Sequence, residues 1–325
     1  MSVAENIVEV VGNTPILRLN RVARGLKPRI YAKLEFMNPG GSVKDRIARY
    51  LVADAEKRGL LKKGGTIIEP TSGNTGVGLA MLAAVRGYKV VFTMPEKVSE
   101  EKRALLRAYG AKVVIAPTDL PPTSPEHYIN VAKRLNREDP NSYMPNQYQN
   151  KGNPRAHFAT TGPEIWRQTK GKIDAFVAGV GTGGTISGAG RYLKKQRRSI
   201  LVVGAEPEGS IYCNLKEGKR DALYPYLVEG IGEDFVPGTY DTRVADEIIR
   251  VSDEESFKMA HRLAVEEGIL AGGSSGTAVA AAVKVAREHP KLRLIVVILP
   301  DSGRSYLSKV FNPSWLKRQG FSSQD

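Results

Sequence analysis

Short, continuous apolar runs alternate with stretches of helical period from residue 65 almost to the end of the chain. "GTIIEP" (65–70) reads as a buried strand, "TGVGLAMLAAVRG" (75–87) as a helix stopped at a glycine, and "YKVVFTMP" (88–95) as a strand again. A helix follows at 99–110, with Ser99 as cap and Gly110 as stop, then the strand "AKVVIAP" (111–117). The next helix is expected at 124–138, with Pro125 in its first turn. The alternation resumes with a strand at 174–181, a helix from 184 and a strand at 199–207. Helices at 254–267 and 276–288 and the strand "RLIVVILP" (293–300) complete it. Strands that are apolar throughout need cover on both faces, which predicts an α/β fold with parallel sheets. A length of 325 residues suggests about two domains at roughly 150 each. The polar segment 140–154, rich in Pro and Asn, is the expected hinge. The pattern as a whole predicts two open parallel-sheet lobes with a cleft between them.

Composition excludes several classes. The single cysteine, Cys213, rules out an internal disulfide framework, and an inert buried thiol is its plain reading. His127, His157, His261 and His289 are scattered without ligand spacing, so no metal site is expected. No apolar run approaches the ~18 residues of a membrane helix, and the start "MSVAENIVEV" lacks the form of a signal peptide. A soluble, cytoplasmic protein is expected. The net charge of +14 invites a nucleic-acid reading. Its lysines and arginines, however, lie in pairs along helix faces with no aromatic stacking motif between them, so no nucleic-acid partner is expected.

In parallel sheets, ligands bind beyond the carboxyl ends of strands, where loops meet helix N-termini. Three loops qualify. "EPTSGNTG" (69–76) offers Thr71, Ser72, Gly73, Asn74 and Thr75, a set of hydroxyls and backbone N–H groups that suits a carboxylate; a capping turn is the plainer reading. "GVGTGGTISG" (179–188) holds Gly179, Gly181 and Gly184 in dinucleotide spacing, and Glu206 ends the next strand where a ribose-binding acid would lie. Thr182 and Thr185 in the same glycine nest suit a phosphate monoester equally. "AGGSSGT" (271–277) lies between two helices. Ser274 and Ser275 are expected to cap the second, and the two glycines before them would let a flat ligand approach the backbone.

Lys44 completes the pattern. It follows Gly40, Gly41 and Ser42 at an expected helix N-terminus, where the charged form of lysine is disfavoured. A neutral amine is the nucleophile a Schiff base needs. A lysine, a phosphate nest and hydroxyl-rich loops together suggest pyridoxal phosphate.

With these motifs in place, the chain resembles the cysteine synthase/cystathionine β-synthase family of fold-type II pyridoxal-phosphate enzymes. "VGNTPILRLN", "GGSVKDR", "EPTSGNTG", "NQYQNKGNP", "GVGTGGTISG", "VEGIG" and "LPDSGRSYLSKVF" occur in the family's order and cover almost all of the chain. The resemblance implies that Lys44 carries the cofactor and moves the α-proton, and that Asn74 bonds the ring hydroxyl. It implies that Gly181, Thr182, Gly183, Gly184 and Thr185 hold the phosphate. Ser274 would face the ring nitrogen, with Ser275 as the fallback. Thr71, Ser72, Gly73, Thr75 and Gln147 would bind the substrate carboxylate. Tyr148 and the stretch Glu229–Phe235, Gly230 included, are the candidates for the second-substrate site, with Glu229 suited to pair an ammonium; Tyr148 packing beside Gln147 is the plainer reading. A larger lobe of 1–41 and 151–325 would carry the phosphate and ring-nitrogen loops, and a smaller lobe of 42–150 the carboxylate loop, with the active site in the cleft. A homodimer is implied; haem and adenosylmethionine control are not, because no N-terminal Cys/His segment and no paired regulatory modules are present in this sequence.

The implied reaction is β-replacement on L-serine or O-acetyl-L-serine with L-homocysteine, giving L-cystathionine. Tyr148, the stretches 124–135 and 227–237 and the C-terminal segment resemble the cystathionine-forming members. Sulfide as nucleophile, the O-acetylserine sulfhydrylase (cysteine synthase) reaction, stays as the alternative. A nicotinamide-dependent oxidoreductase built on Gly179–Gly184 would leave Lys44 and the Asn74 loop unexplained. Retention of the lysine, asparagine, phosphate loop and serine argues against a catalytically silent member.

Overall fold

The computed structural model describes residues 3–321 except Lys97, Asp119 and Pro122. The chain divides into two compact units: residues up to Val11 with Asn38–Asn153, and Gly12–Met37 with everything from Pro154 onward. Residues 3–11, 38–41 and 151–153 thus fall in the smaller unit, not in the larger lobe as expected. Val8 explains the first of these placements, because it is buried in the smaller unit's core beside Ala48, Val52 and Leu79.

The strands β1 (Ile16–Arg18) and β2 (Arg29–Leu34) come first and belong to the larger unit. The chain then runs through the smaller unit as α1 (Lys44–Lys57), β3 (Thr66–Pro70), α2 (Asn74–Arg86), β4 (Lys89–Pro95), α3 (Glu100–Ala108), β5 (Lys112–Ala116), α4 (Tyr128–Glu138) and β6 (Ser142–Tyr143). It returns as α5 (Gly152–Ala159), α6 (Thr161–Gln168), β7 (Ala175–Gly179), α7 (Gly184–Gln196), β8 (Leu201–Pro207) and α8 (Tyr212–Glu217). The elements β9 (Glu247–Val251), α9 (Asp253–Glu267), α10 (Gly273–Glu288), β10 (Leu294–Leu299) and α11 (Pro313–Arg318) complete it. No helix among the described residues is long and apolar enough to cross a membrane.

The smaller sheet has the order β5-β4-β3-β6 with every pairing parallel. The larger has the order β1-β2-β10-β7-β8-β9 and is parallel except that β1 runs antiparallel to β2. That edge strand is three residues long and half-exposed, too short to show a period. The central strands β7 and β10 are buried almost end to end, as continuous apolar runs between helix layers should be. Helix α10 is buried nearly all round, and half of its residues are Ala or Val. Small residues let it approach closely: a Cβ on Gly276 would lie 1.9 Å from the Ser256 carbonyl oxygen of α9.

Several local expectations change. Helix α4 starts at Tyr128, after His127 as cap, so Pro125 lies in the preceding turn. Ser99 has the extended backbone of an N-cap (φ −60°, ψ 149°) but its side chain makes no capping bond. Helices α5 and α6 lie in a stretch for which the sequence pattern predicts no element; Pro154 and Pro163 fall in their first turns, where no intrahelical N–H is lost. The segment 140–154 carries β6, and the passage between units falls inside α5.

Candidate active site

In the smaller unit, the site is built on two helix starts. A turn at Gly41 (φ +84°) leads into α1, and Lys44 is the first helical residue. The Ser42 hydroxyl accepts from the Lys44 N–H at 3.2 Å, and Asp45 Oδ2 accepts from the Gly40 N–H at 2.6 Å, so the approach to the helix is tied down. Lys44 is half-buried. The first turn of α1 packs on α2: a Cβ on Gly78 would lie 3.1 Å from the Ala48 Cβ and 3.2 Å from the Asp45 Cα. Lys44 is therefore held near the start of α2.

Helix α2 begins at Asn74 with Gly73 as its cap and no side-chain capping bond. The Thr71 hydroxyl accepts from the Gly73 N–H at 3.4 Å, so Thr71 also serves the turn that leads into the helix. The first amides of a helix have no intrahelical acceptor and sit at its positive end, which suits an anion. A Cβ on Gly73 would meet nothing within 4 Å, so the backbone there is open to a close approach. Thr71 and Thr75 are buried, and Ser72 and Asn74 are half-buried. The Thr75 hydroxyl donates to Gln147 Oε1 at 2.7 Å, which joins two expected carboxylate binders 72 positions apart. Tyr148 follows Gln147, half-buried.

In the larger unit, α7 supplies the second cradle. Gly183 caps it in the left-handed region (φ +74°) with no side-chain bond. Thr182 is buried and Thr185 half-buried. The Gly181 and Thr182 carbonyls accept from the hydroxyls of Tyr212 and Thr239, so they are turned into the protein. Thr185 Oγ1 lies 3.3 Å from His157 Nε2, and His157 Nδ1 lies 2.9 Å from Thr161 Oγ1. In the sequence His157 is one of four scattered histidines; only the packing of α5 on α7 brings it to this loop. The stretch holding Glu229 and Gly230 borders the same loop, since Gly232 N–H donates to the Val180 carbonyl at 2.7 Å. A Cβ on Gly181 would lie 2.7 Å from the Gly230 carbonyl oxygen.

Three expectations need correction here. Glu206 is fully buried and accepts from the backbone N–H of Tyr212 and Cys213 at 2.8 and 2.7 Å, so it pins α8 and is not placed as a ribose partner. Helix α10 starts at Gly273 with Gly272 as cap, so Ser274 and Ser275 lie in its first turn and do not cap it. The missing side chains at Gly272 and Gly273 make room for Asp301, Tyr306 and Phe257 of this chain, not for a flat ligand. Both serines are buried, and the Ser275 hydroxyl has no hydrogen-bond partner. Glu229 pairs with Lys309 at 2.5 Å. Burial raises the Cys213 thiol to about 11, with the Glu217 hydrogen bond acting the same way, consistent with an inert cysteine. His289, by contrast, meets Glu247 at 3.2 Å, with Glu288 beside them on the surface.

The donors present fit pyridoxal phosphate. At α7, neutral amides and hydroxyls at a helix N-terminus suit a phosphate dianion. At α2, a like set suits a carboxylate, next to an amine on α1. A buried hydroxyl with no partner stands at the start of α10.

A family model described as pyridoxal-phosphate-dependent enzyme matches residues 7–301. The chain is 51% identical over 318 residues to the cystathionine β-synthase of Apis mellifera, covering 97% of this chain and 63% of that one. It is 48% identical to the cystathionine β-synthase of Mus musculus, covering 98% and 57%. It thus spans about three-fifths of the length of these relatives. It is 47% identical over 305 residues to the cysteine synthase of Staphylococcus aureus, covering 94% of this chain and 96% of that one. The structure is similar to that of a hydrogen sulfide-producing enzyme of Fusobacterium nucleatum, with a TM-score of 0.87, 38% identity, and coverage of 93% and 98%. The chain belongs to the fold-type II pyridoxal-phosphate-dependent enzymes, in the branch that holds the cystathionine β-synthases and cysteine synthases, and its cofactor is pyridoxal phosphate.

Proposed function

We propose that this protein catalyses β-replacement on L-serine or O-acetyl-L-serine with L-homocysteine, forming L-cystathionine in cysteine and transsulfuration metabolism. The observation that carries the reading is that Lys44 opens a helix whose first turn packs on α2, and that α2 itself begins with a hydroxyl and amide set open to a close approach. The choice of homocysteine rests on the similarity to cystathionine β-synthases across nearly the whole chain.

When bound, pyridoxal phosphate supplies an electron sink for negative charge on the substrate Cα. Lys44 anchors the cofactor, takes the α-proton as general base and returns it after the thiol has added. Gly181, Thr182, Gly183, Gly184 and Thr185 hold the phosphate, and Asn74 orients the ring. Thr71, Ser72, Gly73, Thr75 and Gln147 bind the substrate carboxylate. Ser274, or Ser275 whose buried hydroxyl has no partner, sets a neutral hydroxyl against the ring nitrogen. A hydroxyl stabilises a protonated ring less than a carboxylate would, which favours elimination of the β-substituent over transamination. Tyr148 and Gly230 line the approach of the second substrate, and Glu229, held by Lys309, presents a carboxylate to its ammonium. The same reading makes the protein a cytoplasmic homodimer.

The second reading is cysteine synthase activity with sulfide. It is favoured by the match to a cysteine synthase over 96% of that relative's length. Product formation from serine and from O-acetylserine, each with homocysteine and with sulfide, decides between them. Cystathionine as the main product supports the first reading. Cysteine alone, with homocysteine unused, replaces it with the second.

A further inference from the structure

Glu69 lies near the end of β3, two residues before Thr71 of the expected carboxylate loop, and is 1% exposed. Its two oxygens take the two consecutive backbone N–H groups of a distant segment. Oε2 accepts from Asn146 at 2.8 Å and Oε1 from Gln147 at 3.0 Å. Asn146 is held there in the left-handed region (φ +52°), an uncommon state for a residue with a side chain. Asn153 Nδ2 then donates to the Gln147 carbonyl at 2.9 Å, and the Gln147 side chain accepts from Thr75. The backbone and side chain of Gln147 are thus both held by partners within the smaller unit, and Glu69 supplies the acceptors for two successive amides.

We propose that Glu69 is a positioning residue for the amino-acid substrate: its carboxylate fixes the backbone at Asn146 and Gln147 and so aims the Gln147–Thr75 pair at the substrate carboxylate. This rests on the function proposed above and deepens it. Only the ionised form presents two full acceptors; a protonated carboxyl turns one oxygen into a donor facing an N–H.

Burial raises the Glu69 carboxyl to about 7, against the opposing pull of the Gln147 and Asn146 amides. Among the described residues no cation acts on it, and Tyr143 on β6 feels its charge. The folded state binds the Glu69 proton more tightly than the unfolded state, so this group makes stability rise as pH falls toward the ordinary carboxyl range. Substrate positioning runs the other way, and weakens as pH falls through about 7. A purely structural Glu69 would move stability with pH and leave substrate affinity alone.

The test uses the holoprotein and Glu69→Gln, in which an amide NH2 replaces one acceptor. Loss of a hydrogen bond to a charged group is worth about tenfold or more in affinity. The wild-type KM for the amino-acid substrate is expected to rise about tenfold from pH 8 to pH 6 with kcat changed less than about twofold. Glu69→Gln is expected to show the raised KM at pH 8 and no further rise on acidification. Independently of turnover, amide hydrogen exchange at 146 and 147 should speed up in Glu69→Gln, and in the wild type as pH falls once the intrinsic pH dependence is removed. A flat wild-type KM across this range, or unchanged exchange at 146 and 147 in the variant, overturns the proposal. Failure of the β-replacement reading would look different: no amino acid would turn over or perturb the cofactor's visible absorbance at any pH. In that case a gain in exchange at 146 and 147 still supports the role of Glu69 in holding this backbone, and an unchanged rate rejects it.

Discussion

Replacing Gly183 by alanine separates backbone strain from contact at the phosphate loop. Gly183 has φ +74°, and a Cβ there would lie 2.5 Å from the Tyr240 Cβ and 2.8 Å from its Cα. Backbone atoms cannot swing aside as a side chain end can. Tyr240 is buried and meets Tyr212 edge to face with ring centroids 5.0 Å apart, while the Tyr212 hydroxyl holds the Gly181 carbonyl. Any shift of Tyr240 is therefore passed back to the loop. The control is Gly268→Ala in the same unit: φ is +70°, and a Cβ would meet nothing within 4 Å. Left-handed strain costs each variant about 1–2 kcal/mol. Overpacking adds about 1–3 kcal/mol to Gly183→Ala alone. In a unit of this size that difference lowers the melting temperature by about 2–12 °C relative to the control. Thermal unfolding of both apo variants measures it. Fluorescence titration with pyridoxal phosphate should then show at least about tenfold weaker binding for Gly183→Ala, a cost of about 1.4 kcal/mol. If Gly183→Ala is no less stable than Gly268→Ala, the contact argument is wrong. If it is less stable but binds the cofactor normally, the loop is not the phosphate cradle.

Lys44→Ala should abolish turnover, and borohydride treatment should no longer add the cofactor's mass to the peptide containing position 44; mass spectrometry of the digest reads this directly. Tyr148→Phe should lower kcat/KM for homocysteine more than for sulfide, because it removes a hydroxyl that only the larger nucleophile can use; equal losses would argue against a role in second-substrate recognition. Lys33→Met should destabilise the larger unit by about 3–5 kcal/mol in urea unfolding, since it leaves Glu164 buried without the cation now 2.7 Å away. Adding Glu164→Gln should recover part of that loss.

The strands β3, β4 and β5 of the smaller sheet and β7, β8 and β10 of the larger are legible in the chain, because a strand covered on both faces must be apolar throughout; the short or half-covered β1, β2, β6 and β9 leave no such mark. The helix starts at Lys44, Asn74 and Gly184 are legible for a similar reason: glycine and hydroxyl residues gather where the backbone turns and its amides need partners. Local signals stop there. Helices α5 and α6 fall where the sequence pattern predicts no element, and their first turns accommodate Pro154 and Pro163. Glu206 looks like a ribose acid in the sequence, yet its oxygens lie on the amides of Tyr212 and Cys213. The glycines before Ser274 look like room for a ligand, and the neighbours that fill that room come from Asp301 and Phe257, far along the chain in either direction. Glu69 carries no signal of its own beyond its motif, since its partners lie 77 and 78 positions away. Apolar period and turn chemistry are written into neighbouring residues. The partner of a buried carboxylate, the neighbour of a glycine and the approach of His157 to Thr185 are set by chain segments that only packing brings together, and so they belong to the tertiary structure alone.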